Sequence, residues 1–104
     1  MKYKIIFSLS ARKDILCIFR YISEELLEPG IAENLVKRIL KEIKSLNEFP
    51  LRYRLYSTRK SRLKDLRALP VENYIVFYIV DEVGQTVKVY RVIYGKRNIS
   101  NLLK

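Results

Sequence analysis

The sequence predicts a single α+β domain. An N-terminal strand and an antiparallel helical hairpin should pack on a small twisted, mainly antiparallel four-stranded sheet, with a short C-terminal helical turn to finish. Three observations carry this expectation. Apolar residues recur at three- and four-residue steps from Ile15 to Leu46, the period of helices with one buried face. A Pro29-Gly30 pair interrupts that run, because proline cannot continue the hydrogen-bond ladder. From Leu63 the pattern changes to short apolar, strand-like runs bounded by Pro70, Gly84 and Gly95.

The elements follow in order. Lys2–Ser8 ends in an apolar run and reads as the first strand, after which Ser10 is placed to cap a helix. Ile15, Ile18, Phe19, Ile22 and Leu26 form the first stripe; Ile31, Leu35, Ile39, Ile43 and Leu46 form the second. Two helices joined by so short a break predict an antiparallel hairpin. Lys37, Arg38, Lys41 and Lys44 occupy the polar face of the second helix and read as solvation. Asn47–Pro50 stops it, and the arginine-dense stretch 51–62 reads as a loop. Leu66–Leu69 is a short strand ending at Pro70. Asn73–Val80 is apolar on both faces, as expected of a central strand. Asp81–Gln85, with Gly84, is the hairpin turn. Thr86–Tyr94 is its partner, with Val87, Val89, Arg91 and Ile93 expected on one face. Residues 98–103 make the terminal helical turn.

Composition narrows the partners. The chain has 104 residues and a hydrophobic share of 49%, enough for one core without disulfide or metal. Cys17 is the only cysteine and reads as core packing in the first stripe. No long apolar run suggests a membrane span, and a reducing cytoplasm is the expected setting. The formal charge is +10, which favours anionic partners. Residues 1–50 carry 9 Lys or Arg against 7 Asp or Glu, and residues 51–104 carry 12 against 4, so the second half holds +8 of the total.

The chain has no histidine and its three glycines are scattered, so neither histidine acid–base chemistry nor a phosphate-cradling loop is available. No metal or other cofactor is expected. Lys, Arg and Tyr remain as chemical tools, and they suit an RNA phosphodiester: arginine stabilises the phosphate charge, and lysine or tyrosine moves protons. One candidate cluster is Arg52, Arg54, Arg59, Lys60, Arg62, Lys64 and Arg67, interleaved with Tyr53 and Tyr56; its bland alternative is a solvated loop. A second is Lys96-Arg97, directly after the last strand, with Arg91 earlier on it. Of the sheet tyrosines, Tyr94 alone is kept as a site candidate.

The segment Pro70–Leu103 resembles the C-terminal half of RelE/ParE superfamily toxins of type II toxin–antitoxin systems. It shares a Tyr-x-x-x-Tyr strand, a short hairpin and an Arg-Val-x-x-Gly-x-Arg strand end. Ala11–Ile22 and the long hairpin look like the ParE/plasmid-stabilisation branch. The resemblance implies one of two activities. RelE-like members cut mRNA in the ribosome without a metal, whereas ParE-like members poison DNA gyrase. By resemblance, Arg97 matches the arginine that RNA-cleaving members use on the scissile phosphate; if the protein is an RNase, Lys96 and Lys64 are the further catalytic candidates. Arg59, Arg62, Arg67, Arg91 and Tyr94 are the binding candidates. Two catalytic positions differ, since Ile75 stands where an arginine is expected and Leu103 where a tyrosine is. Those departures tilt the expectation toward a gyrase-directed toxin, with the mRNA endoribonuclease as the alternative. A cognate antitoxin with an acidic toxin-binding segment is the expected partner.

Overall fold

The structure, a computed structural model, describes residues 2–56, 65–97 and Leu102. The element order is β1 (Lys4–Phe7), α1 (Leu9–Arg20), a π-helical turn (Tyr21–Glu25), α2 (Pro29–Lys44), β2 (Leu66–Val71), β3 (Tyr74–Asp81) and β4 (Thr86–Tyr94). Short 3₁₀ turns at Ser45–Asn47 and Pro50–Arg52 follow α2. The sheet order is β1-β4-β3-β2. β1 runs parallel to β4, and the other two pairings are antiparallel. The expected α+β architecture of two helices on a four-stranded sheet is therefore present.

The core explains why the elements pack as they do. Ala11, Ile18 and Ile22 from the first helical stretch and Ala32, Ile39, Ile43 and Leu46 from the second bury against Val76, Tyr78, Val87, Val89 and Val92. Leu66, Phe77 and Ile93 form a second cluster on the opposite face, with Tyr56 and Leu102 packed against it. The central strand β3 is thus covered on both sides, as its apolar run implied.

Several local expectations are corrected. Ser8, not Ser10, caps α1: its Oγ accepts the Ala11 N–H at 3.0 Å and donates to the Tyr90 carbonyl at 2.7 Å. The reversal between the helices falls on Leu27, at φ 55°, while Pro29 opens α2, where its missing N–H costs nothing. Leu26 and Ile31, on either side of the reversal at the closed end of the hairpin, are half exposed. Cys17 is exposed, since it is rotated about 100° from the buried Ile18. Pro70 lies inside β2 rather than ending it, which an edge strand tolerates.

The most consequential correction is in β4. Phe77 pairs with Arg91 but Tyr78 pairs with Val89, so Tyr90 is an extra residue, a β-bulge. The strand's alternation switches there. Val87 and Val89 share the helix-covered face with Val92, whereas Ile93 joins the opposite cluster. The bulge lies just past Phe7↔Val89, the last β1–β4 pair. Beyond it, α1 replaces β1 along the edge of β4.

Candidate functional site

Where α1 takes over from β1, the β4 backbone needs new partners. Asp14, one helical turn into α1, supplies them. Its Oδ2 accepts the Val92 N–H at 2.9 Å and the Arg91 Nε–H at 2.7 Å, and its Oδ1 accepts a second Arg91 N–H at 3.0 Å. The forked pair is mostly buried, and its hydrogen bonds lift the Arg91 pKa further above its ordinary value. The third arm of Arg91 donates to the Leu102 carbonyl at 3.2 Å. Arg91 therefore joins α1, β4 and the C-terminal segment. Asp14 was missed in the sequence because an acid on a helix face reads as solvation until its partner is known.

Above this clamp lies a groove of about 1100 Å³, between the closed end of the helical hairpin, the start of β3 and the end of β4. Its helical wall repeats at helical steps: Asp14, Cys17 and Tyr21 from the first helical stretch; Ile31, Asn34, Leu35 and Arg38 from α2. The sheet wall is Glu72, Asn73, Tyr74, Ile93, Tyr94 and Arg97. The π-helical turn, closed by the Leu26 N–H donating to the Tyr21 carbonyl at 3.1 Å, widens the helix where it meets this groove. Across the mouth, Arg38 reaches Glu72 at 3.0 Å, both well exposed.

The rim is built around Tyr94. Tyr74 and Tyr94 are register partners whose rings meet edge to face, with centroids 5.5 Å apart. Burial, reinforced by the neighbouring Tyr94 and Tyr21, pushes the Tyr74 phenol up. Gly95 donates its N–H to the Asn73 carbonyl at 2.8 Å, and a Cβ there would lie only 3.3 Å from that oxygen. This close approach turns the chain so that Arg97 returns to the groove, its N–H donating to the Tyr94 carbonyl at 3.0 Å. Arg97 is exposed, and among the described residues no group bonds its guanidinium.

The sequence-derived candidates thus separate. Arg91, Tyr94 and Arg97 line the groove, though the guanidinium of Arg91 is committed to Asp14. Lys96 is exposed beside them without lining it. Arg67 is elsewhere: it pairs with Tyr78, four residues along β3 from Tyr74, or roughly 13 Å. There it donates to the Leu51 and Tyr53 carbonyls at 3.2 and 2.6 Å. Arg59, Arg62 and Lys64 lie outside the described residues, as do most of residues 98–103.

The groove is chemically suited to binding. Both of its carboxylates are held by arginines, Asp14 by Arg91 and Glu72 by Arg38. The Tyr74 phenol is shifted away from neutrality rather than toward it, so it is no proton acceptor at pH 7. Among the described residues no group of three or more His, Cys, Asp or Glu is placed to hold a metal. No helix among them is long and apolar enough to cross a membrane.

Comparisons with known proteins agree with this architecture. The solved structure of a chromosomal ParDE toxin–antitoxin system from P. aeruginosa superposes with a TM-score of 0.71 at 19% identity, spanning 89% of this chain and 96% of that one. The archaeal RelE–RelB complex from Pyrococcus horikoshii gives 0.63 at 15%, spanning 93% and 99%. A mutant of the E. coli toxin RelE in the free state gives 0.62 at 17%, spanning 99% and 94%. At these identities the likeness concerns the fold. No curated protein matches the sequence. The family model described as the ParE toxin of the type II toxin–antitoxin system parDE matches residues 5–99, from β1 past Arg97, so this chain belongs to the ParE toxin family of type II toxin–antitoxin systems.

Proposed function

We propose that the protein arrests growth by inhibiting DNA gyrase and is neutralised by a cognate antitoxin. The observation that carries this reading is the match to the ParE toxin family over residues 5–99. The groove supports it, because its two carboxylates are both engaged by arginines, as suits a binding protein more than a hydrolase. Ile75 packs against the second hydrophobic cluster, so the position where RNA-cleaving relatives carry arginine serves the sheet.

The antitoxin is proposed to reach the groove with apolar side chains flanked by acids. Leu26, Ile31 and Leu35 offer apolar walls, Arg97 an exposed side chain, and the whole chain a charge of +10. Mixing purified toxin with gyrase and relaxed plasmid tests the target, and loss of supercoiling is the expected result. The rival is a ribosome-dependent mRNA endoribonuclease acting through Arg97. New 5′ ends within ribosome-bound message, lost in Arg97→Ala, together with unimpaired supercoiling, would replace the gyrase reading with it. Normal growth despite accumulation of the protein without antitoxin would reduce the chain to a basic binding module. An antitoxin whose toxin-binding segment is basic throughout would overturn the electrostatic part of the proposal.

A further inference from the structure

The outer face of the helical hairpin, turned away from the sheet, carries a positive field that the composition of its segment hides. Two residues along an α-helix turn through about 200°, so a residue two places from a buried one lies on the opposite side. Lys13 stands two residues from both Ala11 and Ile15, Arg20 two from both Ile18 and Ile22, and Lys41 two from both Ile39 and Ile43, all members of the core or packed against it. Lys37 precedes Ile39 by two residues, and Lys44 precedes the buried Leu46 by two. All five cations are exposed. Residues 1–50 hold nearly as many acids as bases, 7 against 9, but the fold sends most of those acids elsewhere. Asp14 is committed to Arg91, and Glu24, Glu25 and Glu28 gather around the reversal at Leu27. Glu42 is half-buried beside Ile43, and Glu48 lies past the end of α2. Glu33 alone shares the face, and Lys37 holds it at 2.9 Å. No ion pair among the described residues engages Lys13, Arg20, Lys41 or Lys44.

We infer that this face binds the phosphate backbone of duplex DNA without reading its sequence. Residue type favours that partner over a protein or a single strand. Lysines predominate, and no exposed aromatic shares the face, since Phe19 is half-buried and Tyr21 lines the groove. Protein interfaces are depleted in lysine and enriched in aromatic residues, and single strands are held by stacking on aromatic rings. The exposed Leu9, Leu16 and Leu40 are separate leucines, not the continuous apolar face that insertion into an anionic membrane requires. Spacing favours B-form DNA over duplex RNA. The cations form two rows, Lys13 and Arg20 on α1 and Lys37, Lys41 and Lys44 on α2, and the two helices contact each other. Packed helices lie roughly 8–10 Å apart, and the long side chains splay further. That separation suits the phosphates on either side of the B-DNA major groove, roughly 12 Å wide, whereas the major groove of duplex RNA is deep and narrow. The inference stands apart from the proposed function, since it concerns neither the groove nor the inhibited enzyme.

Fluorescence anisotropy with a labelled mixed-sequence DNA duplex, over a series of salt concentrations, tests it. Lys41→Gln/Lys44→Gln removes two charges and keeps good helix formers at both positions. Lys88→Glu lowers the net charge by the same two; Lys88 is exposed on β4 and pairs with Ile79, which packs into the cluster on the far side of the sheet. Thermal melts are recorded alongside. Wild-type protein should bind the duplex with an affinity that falls as salt rises. The double variant should bind at least about tenfold more weakly, with the slope of log affinity against log salt shallower by roughly 1.8, or two contacts. Lys88→Glu should stay within about threefold of wild type, because a charge on the far side is screened. Equal weakening by the two variants overturns the face and leaves net charge as the cause. So does wild-type protein that fails to bind the duplex, or that prefers a single-stranded oligonucleotide, duplex RNA, polyglutamate or phosphatidylserine vesicles. Should the double variant melt early, Lys13→Gln reads the other row: a slope shallower by roughly 0.9 supports the face, and an unchanged slope overturns it.

Discussion

The two ends of α2 are built on opposite plans. At its start, the groove between hairpin and sheet is walled by side chains from α1, the π-helical turn, α2, β3 and β4, and Arg97 sits on its rim without a described partner. At its end, the carbonyls of Glu48 through Leu51 are bonded one after another by Arg52, Tyr78 and Arg67, and Phe49 is left outside. The same residue type does different work in the two places. Arg91, Arg52 and Arg67 organise backbone, whereas the exposed Arg97 guanidinium has no partner among the described residues. The difference teaches that high arginine content by itself locates neither the scaffold nor the site; what decides is whether a carboxylate or a row of carbonyls faces the guanidinium.

The sharpest way to test that division is to remove Asp14. Asp14→Ala leaves the mostly buried Arg91 guanidinium and the Val92 N–H without their acceptor, and should destabilise the fold by about 3 kcal/mol in chemical denaturation. Arg97→Ala should change stability by no more than about 0.5 kcal/mol while impairing partner binding. Equal losses in the two variants would break the distinction between scaffold and rim.

At the other end, Tyr78→Phe should cost roughly 1–2 kcal/mol by orphaning the Pro50 carbonyl. The same hydroxyl gives a pH signature. Burial pushes the Tyr78 phenol up to about 12 from an ordinary value of 10. Folding therefore favours the protonated phenol, so its contribution is complete below pH 10 and lost as pH rises toward 12. Urea melts between pH 9 and 12 should show wild-type stability falling more steeply than that of Tyr78→Phe.

Smaller effects sharpen the comparison. Phe49→Gly relieves a left-handed backbone and should be neutral or stabilising by up to about 1 kcal/mol, a result that would mark the phenylalanine as kept for something other than the fold. Arg38→Ala breaks the exposed link to Glu72 and should cost no more than about 0.5 kcal/mol, leaving the groove mouth more open.

Much of the fold was legible in the sequence. The two helical stripes, the doubly covered β3 and the β3–β4 hairpin follow from periodicity, because burial of one face or two writes itself into the spacing of apolar residues. The groove was legible only in part: Arg97 and Tyr94 stood out from their place at the strand end, while Arg38 reads as solvation and Asp14, Tyr21 and Asn34 carry no signal of their own. The hairpin turn at Asp81–Gln85 was legible, but which residues take the left-handed conformation at the reversals was not. Glycine was expected at the reversals, yet none of the glycines has a positive φ, and Leu27, Phe49, Asp65, Glu72 and Gln85 do. Gly84 matters for a different reason: a Cβ there would meet the Asp81 carboxylate at 2.6 Å.

By itself, then, the sequence determined the fold class, the helical faces, the central strand and an excess of positive charge, since each is a local pattern or a sum over residues. Tertiary structure decided the Tyr90 bulge, which exchanges the faces of β4, and the fates of the arginines. Those depend on contacts between residues far apart in the chain, such as Asp14 with Arg91 and Tyr78 with Pro50, and no local period records which distant group will be waiting.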